Sequence, residues 1–273
     1  MSSEFRSQPH TEAGAPRYRH VSIGRATVEV TEQQGALHMR SLEPLADYPP
    51  RLLDRLVHWA RVRPEQTFIA ARQADGEWRR VSYAQMLDSV RAIAQSLLSY
   101  GLSADKPLVL LSGNDIEHLQ LAFGALYAGI PYCPVSPAYS LLSQDFAKLR
   151  HVCDLLQPGL VFVSDAAAYQ RAIDAVLPAE TPLITVRGQI AGRRQASFAS
   201  LLEQPGGAEA EAAFAGTGPD SIAKFLFTSG STKLPKAVVT TQRMLCSNQQ
   251  MLLQTFPVSV SYTHLTLPTI YSV

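Results

Sequence analysis

Four short, almost purely apolar runs set what this sequence can fold into: PLVLLS at 107–112, YCPV at 132–135, LVFV at 160–163 and PLITV at 182–186. Each is too continuous to leave one face in water, so each reads as a strand buried on both faces. The runs begin near 107, 132, 160 and 182, hence 25, 28 and 22 residues apart. That spacing suits a chain that crosses over through a helix and returns parallel. Helical signals fill the intervals. Ser82 and Gln85 form a capping box ahead of a stripe of Leu87, Val90, Ile93, Ala94, Leu97 and Leu98, with Gly101 suited to the C′ position. Asn114 and Glu117 predict a second box, opening a helix that ends near Gly129. The expected fold class is α/β, a parallel sheet flanked by helices.

Outside that rhythm the chain divides by pattern. Residues 1–50 form an N-terminal extension with one hairpin, ATVEVT and ALHMRSL turning at Gln33-Gln34-Gly35. A helix fits Arg51 to Arg61, with Leu52, Leu53, Leu56, Val57 and Ala60 on one face and Pro64 stopping it. The α/β subdomain is expected to run over 51–203. Gln204 to Pro219 is Gly/Ala-rich and weakly patterned, which marks a linker. A further subdomain is expected to start over 220–257 with the strand IAKFLF, the loop TSGSTKLPK, the strand AVVTT and a helix from Gln242 to about Gln254. After Arg243 the sequence has no Lys, Arg, Asp or Glu, and 258–273 lacks core-like periodicity. That tail resembles translated sequencing-adapter sequence and is read as non-native, the alternative being a genuine β-rich segment.

Composition excludes several classes. A net charge of +1 from 24 basic and 23 acidic residues leaves no basic surplus for nucleic acid or an anionic membrane. Apolar residues make up 46% of the 273 and mean hydropathy is near zero, enough for a real core and far from disordered or collagen-like chains. Charged residues, at 17%, fall below the usual share of about 25%, so much of the chain expects burial. Three scattered cysteines, Cys133, Cys153 and Cys246, suit a reduced cytoplasmic setting better than a disulfide framework. The histidines lack zinc-ligand spacing. No signal peptide and no membrane span is expected, since the start lacks an apolar core and the longest apolar stretch is broken by Gly129, Pro131 and Pro134.

The informative chemistry lies in Thr228-Ser229-Gly230-Ser231-Thr232-Lys233-Leu234-Pro235-Lys236, four hydroxyls, one glycine and two lysines directly after a buried strand. Hydroxyls and backbone N–H groups can surround a polyphosphate, Gly230 lets the backbone come close, and Lys236 supplies charge. Pro235 stiffens the exit. A Walker A loop is excluded because GxxxxGK[ST] is absent and the loop leads into a strand rather than a helix. Gly216-Thr217-Gly218 lacks the third glycine of a dinucleotide fingerprint. Ser221-Ile222-Ala223-Lys224 matches SxxK, without the companion motifs that would give it meaning. His118 and His151 read as surface or packed histidines, Cys246 as a buried inert thiol, and Tyr127, Tyr132 and Tyr139 as packing groups.

The loop, its strand–loop–strand setting and the preceding βα units resemble the N-terminal half of the adenylate-forming acyl-CoA synthetases. Longer runs are similar to the feruloyl-CoA synthase type: PLADYPPRLLDRLVHWA, ADGEWRRVSYAQ, GIPYCPVSPAYSLLSQDFAKLRHVCDLLQPGLVF and KFLFTSGSTKLPKAVVTTQRMLCSNQQM, together spanning about residues 17–257. The resemblance implies a ligase that adenylates a hydroxycinnamate such as ferulate with Mg-ATP and passes the acyl group to CoA, as in phenylpropanoid catabolism. It implies that Thr228, Ser229, Gly230, Ser231, Thr232 and Lys236 hold the β- and γ-phosphates. Two positions depart from the pattern. Lys233 stands where the family nearly always has Gly, which is expected to impair the loop, the other reading being an added phosphate contact, and Ala237 follows the signature lysine as is common in feruloyl-type enzymes. The family's later motifs, including its metal ligand and adenylation lysine, do not occur before Val273, so the sequence reads as an inactive fragment without a catalytic acid, base or nucleophile. Two other readings stay open: a synthetase for another aromatic or medium-chain acid, and a non-catalytic nucleotide-binding fragment.

Overall fold

The apolar runs become strands because both of their faces are covered. In the computed structural model, which describes residues 27–228 and 234–256, the chain divides into a unit of Asp47–Asn248 and a smaller one of Met1–Ala46 with Gln249–Val273. The smaller unit holds β1 (Val28–Gln33) and β2 (Ala36–Ser41), paired antiparallel with Val30 opposite Met39. Gln34 and Gly35 both take positive φ, 53° and 79°, giving the two-residue turn whose twist matches a hairpin.

The larger unit begins with α1 (Asp54–Val62), β3 (Thr67–Arg72), β4 (Trp78–Ser82) and α2 (Tyr83–Leu98). It continues through β5 (Leu108–Leu111), α3 (Ile116–Tyr127), β6 (Tyr132–Pro134), the single turn α4 (Ala138–Leu141) and α5 (Ala147–Leu156). Next come β7 (Leu160–Asp165), α6 (Ala166–Val176), β8 (Leu183–Arg187), β9 (Gln195–Ser197) and a 3-10 turn at Phe198–Leu202. Then follow α7 (Ala208–Gly216), β10 (Ile222–Thr228) and β11 (Lys236–Thr241). The last helix, α8 (Gln242–Thr255), starts in the larger unit. The tail from 258 lies outside the described residues.

Among the described residues seven strands join in the order β11-β10-β6-β5-β7-β8-β9. β5 sits between β6 and β7, all parallel, with Leu108 opposite both Tyr132 and Leu160. β10 adds to the free side of β6 in the same direction, Lys224 opposite Tyr132. β11 runs antiparallel to β10, so the sheet is mostly parallel. The reason is local: residues 229–235 are too few for a crossover helix, and the chain must return as a hairpin. The strand that enters the loop therefore continues the sheet of residues 51–203, where the sequence pattern starts another subdomain at 220.

Alternate residues of each strand feed opposite faces. Leu108, Leu110, Leu160 and Phe162 join the core made with α1, α2, α3 and α7. Val109, Leu111, Val161 and Val163 join the core made with α5 and α6. On the first side Ser82 Oγ accepts from Gln85 N while Gln85 Oε1 accepts from Ser82 N, the capping box expected for α2. The box expected at Asn114 does not form. Asp115 is the N-cap residue of α3 and caps nothing with its side chain, while Glu117 pairs with Arg79 of β4. α3 ends as a Schellman motif, Gly129 N donating to Leu126 O and Ile130 N to Ala125 O, with Gly129 at φ +70°.

The stretch read as a linker contains α7, which borrows its cap from another helix. Gln95 Oε1 of α2 accepts from Gly207 N and Ala210 N, each at 3.2 Å. Phe214 stacks on Tyr127 with centroids 4.1 Å apart, and the Arg51 guanidinium covers the ring's region at 4.0 Å from its centroid. Tyr127 donates to Glu211 at 2.9 Å and accepts from Arg91 Nε at 3.2 Å. Gly/Ala composition hid this helix because its hold on the fold comes from partners distant in sequence.

Candidate active site

In a sheet of parallel strands the loops that follow the strands all emerge at one edge, and ligands of open α/β sheets bind there. β10 is parallel to β6, β5 and β7, so its last residue, Thr228, reaches that carboxyl edge. Thr228 pairs with Lys236, the first residue of β11, and Phe227 pairs with Ala237. The hydroxyl and the ammonium thus stand on adjacent strands at the mouth of the loop, both exposed. Ser229, Gly230, Ser231 and Thr232, together with Lys233, lie outside the described residues.

The exit of the loop is anchored. Pro235 is buried, and its carbonyl oxygen lies 3.0 Å from His151 Nε2 on α5. The same imidazole meets Phe227 edge-on, centroids 6.4 Å apart. The histidine that the sequence reads as surface or packed therefore supports the stems of the loop, through a contact 84 positions distant that carried no local signal. Lys224, farther back on β10, is half-buried, and desolvation lowers its pKa. Ser221 Oγ accepts from Gly218 N, a turn contact.

The same edge carries further polar groups where β5 gives way to α3. Ser112 Oγ lies 2.7 Å from His118 Nδ1. Burial lowers the pKa of His118, with Asp115 opposing it. Asp165, at the end of β7, caps α6 by accepting from Ala168 N, and that bond holds its carboxyl below the usual range, helped by Arg187. Cavities of about 550 and 560 Å³ lie elsewhere, against Asp88 and Arg91 of α2. Among the described residues no group of three or more His, Cys, Asp or Glu side chains is arranged to hold a metal ion, and no helix is long and apolar enough to cross a membrane.

Sheet order and loop placement define an α/β protein with its candidate site at the carboxyl edge of a mostly parallel sheet. The family model described as AMP-binding enzyme matches residues 56–272. The chain belongs to that family, the adenylate-forming superfamily. The match runs across the stretch from 258 onward that composition sets apart.

Indigoidine synthase of Streptomyces lavendulae is 27% identical over 223 residues, covering 81% of this chain and 15% of that protein. Olefin beta-lactone synthetase of Xanthomonas campestris pv. campestris is 29% identical over 203 residues, covering 72% of this chain and 35% of that protein. Among solved structures, a fatty acyl-adenylate ligase from L. pneumophila in complex with acyl adenylate and pyrophosphate superposes with a TM-score of 0.57 at 19% identity. That match covers 77% of this chain and 33% of the other, and it shows the fold. The chain spans about a third or less of the length of these relatives.

Proposed function

We propose that this chain is the phosphate-holding portion of an ATP-dependent, AMP-forming acid ligase. In such a ligase a carboxylate oxygen attacks the α-phosphorus of ATP, the bond to the bridging oxygen breaks, and pyrophosphate leaves behind an acyl-adenylate. The chain's own residues act on the leaving group. Thr228, Ser229, Ser231 and Thr232 donate hydroxyl hydrogen bonds to the β- and γ-phosphates, Gly230 admits them close to the backbone, and the Lys236 ammonium offsets the charge that builds as pyrophosphate departs. The observation that carries this reading is the pairing of Thr228 with Lys236 at the carboxyl edge of the sheet, in a chain of the AMP-binding family. Lys233 stands where the resemblance implies Gly and is proposed to weaken the loop's hold on the phosphates. Mg²⁺, which the family typically uses, meets no group of three or more His, Cys, Asp or Glu side chains among the described residues.

The acid is proposed to be a small-molecule hydroxycinnamate such as ferulate, with the CoA thiol displacing AMP in a second step to give the thioester. The long runs similar to feruloyl-CoA synthases support that choice. The three free, buried thiols support a reducing, cytoplasmic setting. Calorimetric titration of the purified chain with inorganic tripolyphosphate and with ATP tests the phosphate role. Saturable binding is expected, weakened about tenfold or more by Lys236→Ala, because a charge-assisted contact is lost. Absence of binding, or binding indifferent to that substitution, overturns it.

A further inference from the structure

The side chain of His151 touches both stems of the loop, Phe227 on the way in and Pro235 on the way out. A carbonyl oxygen only accepts, so Nε2 of His151 carries the proton and donates it to Pro235 O. That oxygen belongs to the peptide group whose nitrogen is the backbone nitrogen of Lys236. The proline ring already restricts φ at 235, and a held carbonyl restricts ψ as well. With both torsions held, the direction in which Lys236 leaves the ladder is set from outside the loop. The position matters because Thr228 opposite Lys236 is the last register pair of β10 and β11, and terminal pairs of a ladder fray most readily.

The helix that supplies the imidazole is itself fixed. Leu149, Val152, Cys153 and Leu156 of α5 are buried in the core beneath the sheet. Its entry is tied by Phe146 N donating to Ser143 Oγ at 3.0 Å and Ala147 N donating to Asp145 Oδ1 at 3.1 Å. A donor mounted on such a platform holds its acceptor to one geometry.

We propose that His151 is a positioning residue for Lys236, acting through the Pro235 carbonyl to aim the ammonium at the phosphates; this rests on the phosphate role proposed for Lys236. The test compares the purified chain with His151→Phe, which keeps a ring against Phe227 and loses the donor, and His151→Gln, which keeps a donor. Three quantities are measured: thermal unfolding, amide hydrogen exchange over residues 234–238, and calorimetric affinity for inorganic tripolyphosphate. The Phe variant is expected to unfold close to the parent, exchange faster over 234–238 and bind tripolyphosphate roughly threefold to tenfold more weakly, the worth of one hydrogen bond. The Gln variant is expected to recover most of both. His151→Leu repeats the comparison should the Phe variant not fold. Unchanged exchange and affinity in the donorless variants, or equal losses in the Gln and Phe variants, overturn the role of His151. A parent chain that binds no tripolyphosphate overturns the phosphate role instead, and the exchange data then still decide whether His151 holds the 235–236 peptide.

Discussion

Cys133 and Cys153 show what burial does to single residues in this core: desolvation pushes both thiols up to about 12, so they stay protonated and unreactive near neutral pH. His118 responds to the same force in the opposite direction, because for a base the charged form is the one that burial penalises. Its folded pKa lies below the ordinary value of 6.5, and the unfolded chain therefore takes up the proton first as pH falls. The stability this histidine contributes is complete above about 6.5 and drains away as pH drops from there toward the lower folded pKa. His118→Asn is expected to cost about 1 kcal/mol at pH 7.5 through the lost bond to Ser112, and to make the decline of stability between pH 7.5 and 5 shallower than in the parent. Denaturant unfolding at both pH values checks this. Equal slopes for parent and variant count against a lowered pKa at His118.

The contact between α2 and α3 shows how tightly elements of the fold are fitted. A Cβ added at Gly124 would sit 2.3 Å from Ile93 Cγ2 and 2.7 Å from Ile93 Cβ, far inside contact distance, and Ile93 is fully buried. Gly124→Ala is expected to destabilise the chain by roughly 1–3 kcal/mol through overpacking, despite the better helix propensity of alanine. Adding Ile93→Ala is expected to cost less than the sum of the two single changes, since it clears the space that the new methyl needs. A strictly additive double-mutant cycle would contradict the geometry. The sequence made some of these elements plain and hid others for physical reasons. Continuous apolar runs identified β5, β6, β7 and β8 because burial on both faces leaves no polar alternation to confuse them. Ser82 identified a helix start because both partners of its box are three residues apart. Asn114 misled because Glu117, the expected reciprocal partner, found Arg79 on a strand distant in sequence. Thr228 and Lys236 stood out in a hydroxyl-rich loop, whereas His151 and Gln95 work through partners more than eighty positions away.

At the scale of the whole molecule, the site stems stand at one exposed edge. Thr228, Leu234 and Lys236 are open to solvent, and electrostatic assistance to a leaving pyrophosphate depends on excluding water. The chain is accordingly expected to show no ferulate-dependent exchange of pyrophosphate into ATP above background. Lys233→Gly is expected to tighten tripolyphosphate binding without creating exchange. Clear ferulate-dependent exchange by the unmodified chain would show that these residues suffice for the adenylation step.

The way β10 joins the sheet has a consequence in chain entropy. Its register with β6, Lys224 opposite Tyr132, closes 224 − 132 = 92 residues of chain, whereas β5 with β6, Leu108 opposite Tyr132, closes 132 − 108 = 24. Closure cost grows with the logarithm of the enclosed length, which makes the longer closure about 1 kcal/mol more costly. The loop thus rides on a strand, β10, whose parallel attachment encloses the longer stretch of chain, one strand in from the edge formed by β11. A polyanion bound across Thr228 and Lys236 would favour the closed ladder over the opened one, so occupancy of the loop and integrity of the sheet's border rise and fall together.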